Sequence, residues 1–377
     1  MTGSLPPDSR TGPERAGIAL EPKVPLPLAE LRRDSYDTEA ALQVFESLLL
    51  IAARAGLASD PAPHPLVLTQ AAKALIGLRP ERPSRRLMTY ALDLCAAITA
   101  GPRDRSRLVA TPDDLGLTVS VHGLEAAILS GDTEAAHGEL GRLLLVSDNK
   151  GFMFDLLLLL AARSRQRAAT TVPLVHYAQR ATDFVGGVNR ADFLLPAVEA
   201  VVVAAEGGLT ELAQADAAAL PNWSLIVGLE PAEPAGITLA AHAAQIGADE
   251  HVKQSAIQAS LDRALARYQQ VVPREIAAAG APGQAPGKAR ASARAFIGRA
   301  AEGDAEAAKA IGRQLGATGE RVWLLEVLEQ VDAARLTPQL LIWADAFRML
   351  YRTAPPEHFA GLGELAGAQL VKVLAAG

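Results

Sequence analysis

From Asp37 onward, Ala41, Leu42, Phe45, Leu48, Leu49 and Ala52 recur at the spacing of one helix face, with Asp37 or Thr38 placed to cap and Gly56 to stop it. The break DPAPH precedes a predicted helix over about 65–78, and PERPS precedes another over about 85–100, closed by Gly101-Pro102. Thr111-Pro112-Asp113-Asp114 then supplies a capping hydroxyl, a first-turn proline and acidic groups at the positive end of a helix running to about Ser130. Gly131-Asp132 turns into a helix over 133–146, and a Leu-rich run over 152–163 reads as buried on nearly all sides. The pattern continues with predicted helices at about 173–185, 190–206, 209–219, 237–246, 249–271, 289–302, 305–315, 319–332, 337–352 and 359–375. No segment reads as a strand, so the expected class is all-α, a duplicated helical-hairpin bundle rich in Ala and Leu with no sheet.

The hairpins carry an internal echo. Residues 131–136, GDTEAA, return as 303–308, GDAEAA, each followed by a Gly-Arg pair at Gly141-Arg142 and Gly312-Arg313. In each copy Gly ends one helix, Asp caps the next and Glu lies in its first turn. A second echo relates Pro65-Leu66-Val67 to Pro173-Leu174-Val175. Stacked hairpins form a solenoid, but the irregular spacing favours a closed bundle. Pro and Gly density marks 221–236 as a linker, giving an N-terminal arm over 1–35 that is either mobile or laid on the surface, a helical half over 36–220, and a second half over 237–377.

Composition narrows the chemistry. Half of the 377 residues are hydrophobic but 4% are aromatic, which matches an Ala/Leu helical protein. A single cysteine, Cys95, makes neither an intramolecular disulfide nor a thiolate cluster, so a reducing, cytoplasmic setting is expected. The net charge of -6 argues against a nucleic-acid partner, and the apolar runs are too short and too charged for membrane insertion. Short Arg clusters at 32–33, 85–86 and 163–167 read as solvated helix ends.

The segment VHGLEAAILSGDTEAAHGELGRLLLVSDNKGFMFDLLLLLAARS, followed by PLVHYAQRATDFVGG, resembles the helical domain that accompanies Rieske-type iron-sulfur domains in some bacterial proteins. Upstream, HPLVLTQAAKAL is similar to that family's Gly-His-Pro helix start, and the resemblance spans about residues 60–220. Two departures matter. The two Cys and two His of a Rieske site are absent, and Thr171-Val172 stand before Pro173 where the family pattern carries histidines. The resemblance implies a helical partner in redox biochemistry. A looser similarity, to tetratricopeptide hairpins, rests on the Gly-Asp-x-Glu-Ala-Ala turn and lacks that family's regular aromatic and proline positions.

Among seven histidines, His64, His122, His176 and His242 lie in apolar surroundings near predicted helix starts, where convergence would give an imidazole-lined pocket for iron, zinc or haem. An isolated histidine in such a stretch is more often a core residue bonded to a carbonyl. Glu134-Ala-Ala-His137 has the ligand spacing of di-iron bundles, but the repeat reads Glu306-Ala-Ala-Lys309, which points His137 to solvent. Cys95 reads as a small core hydrophobe. These observations favour a non-catalytic accessory or protein-interaction module beside a redox system. No cofactor is expected, the partner is another protein such as an iron-sulfur protein, and self-association is compatible. The alternatives are a helical oxidoreductase whose histidines hold iron or zinc or line a substrate pocket, and a solenoid-like scaffold.

Overall fold

Helix starts follow side chains that satisfy the first free backbone N–H groups. Asp37 Oδ1 accepts from Ala40 N at 2.7 Å, His64 Nδ1 from Leu66 N at 3.1 Å, and Thr337 Oγ1 from Leu340 N at 3.3 Å. The computed structural model describes residues 23–57, 62–98, 108, 119–146, 151–211, 226, 234–248, 255–267 and 287–375. In chain order the helices are α1 (Leu28–Leu31), α2 (Thr38–Ala52), α3 (Pro65–Ile76), α4 (Arg85–Ala96), α5 (Val121–Leu129), α6 (Thr133–Val146), α7 (Gly151–Arg163) and α8 (Ala168–Val185). They continue with α9 (Arg190–Glu206), α10 (Pro234–Ala248), α11 (Ser255–Ala266), α12 (Gly287–Ala301), α13 (Ala305–Gly316), α14 (Val322–Gln330), α15 (Pro338–Thr353) and α16 (Phe359–Ala375). The protein is all-α. An isolated antiparallel bridge between Ser164 and Leu209 is the extended pairing among the described residues.

The two Gly-Asp turns have the same form. Gly131 and Gly303 take φ of 74° and 77°, a left-handed conformation that a side chain disfavours, and Asp132 and Asp304 cap the helices that follow.

Three sequence expectations change. The helix expected from Pro173 begins at Ala168, with Pro173 inside it. Burial of Ala168, Thr171, Val172 and Pro173 offsets the hydrogen bond that the missing proline N–H forfeits. No helix begins at 209, because Gly208 at φ 84° ends the run and Thr210 N donates to Arg163 O at 2.9 Å. Most of that expected helix and the capping run Thr111–Asp114 lie outside the described residues. Finally, His137 is buried, 3.4 Å from Glu199 of α9 in a close contact rather than an aligned hydrogen bond, while Glu134 is exposed. The inference from Lys309 fails at its premise, because the Lys309 side chain is itself 16% exposed, with its ammonium 2.7 Å from Glu306.

Residues 23–36 form a strap along the bundle, extended over 23–27 and then turning through α1. Lys23 N donates to Asn189 Oδ1 at 3.0 Å, Asn189 Nδ2 donates back to Lys23 O at 2.9 Å, and Leu26 N reaches Ser47 Oγ at 3.1 Å. Leu31 then enters the core.

Three groups of helices share one continuous hydrophobic core: α1 to α4, α5 to α9, and α12 to α16. α10 and α11 join α7 and α8 to α15, and α3 touches α2, α4, α8, α14 and α15. That is bundle packing, since a solenoid repeat touches its sequence neighbours. The tightest contact pairs α13 with α16, where Gly312 and Gly316 face Gly363 and where Gly367 faces the backbone of Ala308 and Lys309. A Cβ on Gly312 would meet the Gly363 carbonyl oxygen, and one on Gly363 would meet the Gly312 carbonyl oxygen.

Gly363→Ala is therefore expected to cost about 1–3 kcal/mol by overpacking. In contrast, Gly138→Ala in α6, with nothing within 4 Å of the added carbon, should gain about 0.5–1 kcal/mol. Urea unfolding of the two variants checks this, and equal effects would remove the close-contact account.

Candidate functional site

Four helices, α3, α8, α10 and α15, meet face to face, and each sends polar groups into the junction. Helical spacing sets which ones. α3 offers Gln70 and Lys73 at i and i+3; α8 offers Tyr177, Arg180 and Phe184 one turn apart, with His176 beside them; α10 offers His242; α15 offers Asp345 and Arg348 at i and i+3.

The centre is a buried carboxylate held from two sides. Arg348 Nε donates to Asp345 Oδ1 at 2.7 Å, and the Tyr177 hydroxyl donates to Asp345 Oδ2 in a short bond, with Met349 Sδ 3.6 Å from the same hydroxyl. Asp345 and Arg348 are 2% and 6% exposed, so each charge depends on the other for solvation. Burial, reinforced by Asp345, raises the Tyr177 phenol well above its ordinary range, and Asp345 holds Arg348 protonated against burial.

Beside this network His176 Nδ1 and His242 Nδ1 lie 2.8 Å apart. The Tyr177 ring packs edge-on against His242, with centroids 4.7 Å apart. Burial, together with Arg180 and Arg348, pulls His176 down to about 3; burial and then His176 push His242 well below its usual value. Both imidazoles are neutral, so one must present Nδ1–H and the other a bare Nδ1.

On the other side of Tyr177 a cavity of about 320 Å³ opens between α2, α3, α8 and α15. Phe45, Ile76, Phe184 and the exposed Leu42 form apolar wall, and Gln70, Lys73, Tyr177, Arg180 and Arg348 bring polar groups to it. Lys73 Nζ lies 3.7 Å from the Phe184 ring centroid, a cation over an aromatic face. Burial first, then Arg180 and Arg348, lowers Lys73 to about 8. Among the described residues neither Lys73 nor Arg180 forms an ion pair, and the Gln70 carbonyl oxygen is buried without a hydrogen-bond partner. Two larger hollows, of about 490 and 410 Å³, lie elsewhere; in the first Arg79 pairs with Glu326 at 3.1 Å and in the second Arg32 pairs with Asp93 at 2.5 Å.

Of the four histidines singled out from sequence, the structure brings together His176 and His242. His64 is occupied locally, with Nδ1 on the Leu66 amide and Nε2 3.1 Å from the Ala55 carbonyl. His122 points outward, its side chain 90% exposed and 3.6 Å from Glu125. Among the described residues no three His, Cys, Asp or Glu side chains gather at one point. Cys95 is a core residue, its Sγ 3.5 Å from the Leu48 carbonyl and its thiol pushed up by burial to about 12. Sequence reading missed Gln70, Lys73, Tyr177, Arg180, Asp345 and Arg348. A signal existed in LLIWADAFRML, where an Asp and an Arg one turn apart are surrounded by apolar positions.

Removing one partner of the buried pair should be costly: Asp345→Ala is expected to destabilise by about 3–5 kcal/mol and Tyr177→Phe by about 1–2 kcal/mol, as read from urea midpoints. The histidine pair gives a pH signature. Because the folded histidines are held below their unfolded pKa, the unfolded chain takes up more protons below about pH 6.5, and stability falls from there toward about pH 3. Stability measured between pH 6.5 and 4.5 should fall less steeply in His242→Gln than in the parent; identical slopes would contradict neutral burial.

Compared with protein-family models, with curated proteins and with solved structures, the chain matches none.

Proposed function

We propose that this protein binds a small organic anion in the cavity between α2, α3, α8 and α15. The observation that carries this reading is an excess of cations: Lys73, Arg180 and Arg348 converge there, and Asp345 neutralises one of them. Partly buried cations without a counter-ion lose hydration that nothing in the chain returns. A carboxylate or phosphate restores the balance, and a guanidinium accepts either group through two parallel hydrogen bonds.

The walls define the rest of the ligand. Phe45, Ile76 and Phe184 suit an apolar body, and the Gln70 oxygen calls for an N–H or O–H donor. About 320 Å³ lies at the small end of the usual range of roughly 300–1,000 Å³ for ligand sites, so the ligand is of metabolite size. This reading keeps the non-catalytic role expected from sequence. The redox association is supported by the resemblance of residues 60–220, and the cavity neither requires nor opposes it.

Titration calorimetry tests it with phenyllactate, an apolar carboxylate carrying a hydroxyl, against phenyllactamide, its neutral amide. The acid should bind at least about tenfold more tightly, a difference of roughly 1.4 kcal/mol, and Arg180→Gln should erase that preference while the thermal midpoint confirms folding. Equal affinity for acid and amide, or no binding of either, would overturn the proposal.

A further inference from the structure

The cavity holds a primary amine as well as guanidinium groups, and the amine has an unusual setting. Lys73 sits inside a turn of α3, its Nζ over the Phe184 ring and away from any carboxylate ion pair among the described residues. Arg180 and Arg348 line the same cavity and lie close enough for their charges to act on it. The amine and the anion-binding groups therefore share one chamber with an apolar wall.

We propose that Lys73 is a reactive amine that captures the carbonyl carbon of an α-oxo acid whose carboxylate lies against Arg180 and Arg348. This rests on the anion-site reading above and adds to it a covalent step and a substrate class. The neutral amine nitrogen attacks the carbonyl carbon, the carbonyl π bond breaks, and the oxygen takes a proton to give a carbinolamine. Loss of that hydroxyl as water forms the C=N bond. Overall the ammonium and the carbonyl become a protonated imine and one water, with no oxidant or reductant consumed. A carbonyl adjacent to a carboxylate suits this arrangement, because the cations fix the carboxylate while the amine meets the neighbouring carbon.

Burial and like charge favour the reacting form. With Lys73 lowered to about 8, roughly half of it is neutral at pH 8, whereas an ordinary lysine near 10.4 is almost wholly protonated. The groups facing Lys73 are Arg180 and Tyr177 on α8 and Arg348 on α15. The phenol stays protonated and the guanidinium groups stay charged across this range. The proton that carries the carbinolamine hydroxyl away as water comes from solvent, since the Tyr177 proton is committed to Asp345 and the guanidinium groups keep theirs.

The full-length protein is incubated at pH 8 with phenylpyruvate and sodium cyanoborohydride, which reduces an imine to a stable secondary amine, and the adduct is mapped by peptide mass spectrometry. The expected result is labelling of Lys73 at least about tenfold above any of the other six lysines, suppressed by excess phenyllactate. Lys73→Arg should lose the adduct yet still bind phenyllactate, and Lys73→Met serves as a second variant. The parent protein's labelling map decides the question even if both variants misfold. Scattered labelling with no preference for Lys73, alongside normal phenyllactate binding, would overturn the amine proposal and leave the anion site standing. Absence of both phenyllactate binding and Lys73 labelling would overturn the two together.

Discussion

Asp345 is the constraint on which the polar interior depends. A carboxylate 2% exposed survives in a helix bundle because a guanidinium on its own helix and a phenol from α8 satisfy its two oxygens. The consequences run outward from there. Tyr177 is fixed in rotation by its bond to Asp345, so its ring forms a wall for His242 on one side and for the cavity on the other. Arg348 is pinned by the same carboxylate and presents the rest of its guanidinium to the cavity. Without Asp345, the α3, α8, α10 and α15 junction would hold cations and imidazoles with nothing to offset them.

The chain packs its remaining helices by two different means. Around α13 and α16 glycine removes side chains altogether and lets backbones touch. Around α12, α14 and α15 the scarce aromatics are concentrated instead, with Phe296, Trp323, Trp343 and Tyr351 in edge or tilted contact. Close backbone approach needs small residues and wide gaps need rings, so one low-aromatic composition supports both by placing each where the helix spacing demands it. Leu and Ala fill the interior between these extremes.

Much of this fold was legible along the chain. Helix periodicity, capping residues and Gly-Asp turns gave element type and order because each is a local property of consecutive residues, and even the single cysteine's burial follows from its helical neighbours. Pro173 misled because the burial that overrides a proline comes from distant helices. The histidines show the same divide. His176 and His242 were identified as candidates, but their meeting depends on how α8 and α10 pack, 66 positions apart in the chain. His64 read as a ligand candidate and serves as a cap, since its geometry relative to Leu66 decides its use. Lys73 and Arg180 were invisible because a lysine or arginine on a helix looks solvated until a neighbouring helix covers it.

The placement of the cavity also ties binding to tertiary structure. Its lining comes from α2 and α3, from α8 well downstream, and from α15 near the end of the chain. No contiguous piece carries the three cations, so an isolated α3 or α8 lacks the field that a ligand would meet. An anion that binds the assembled junction and not the unfolded chain stabilises the association of these helices through mass action. The same linkage runs in reverse. Like-charge repulsion among Lys73, Arg180 and Arg348 opposes bringing α3, α8 and α15 together, and the apolar contacts of the shared core overcome it. The bundle thus holds in its folded state an electrostatic strain that an incoming anion relieves, which makes the site a place where occupancy and local order are coupled.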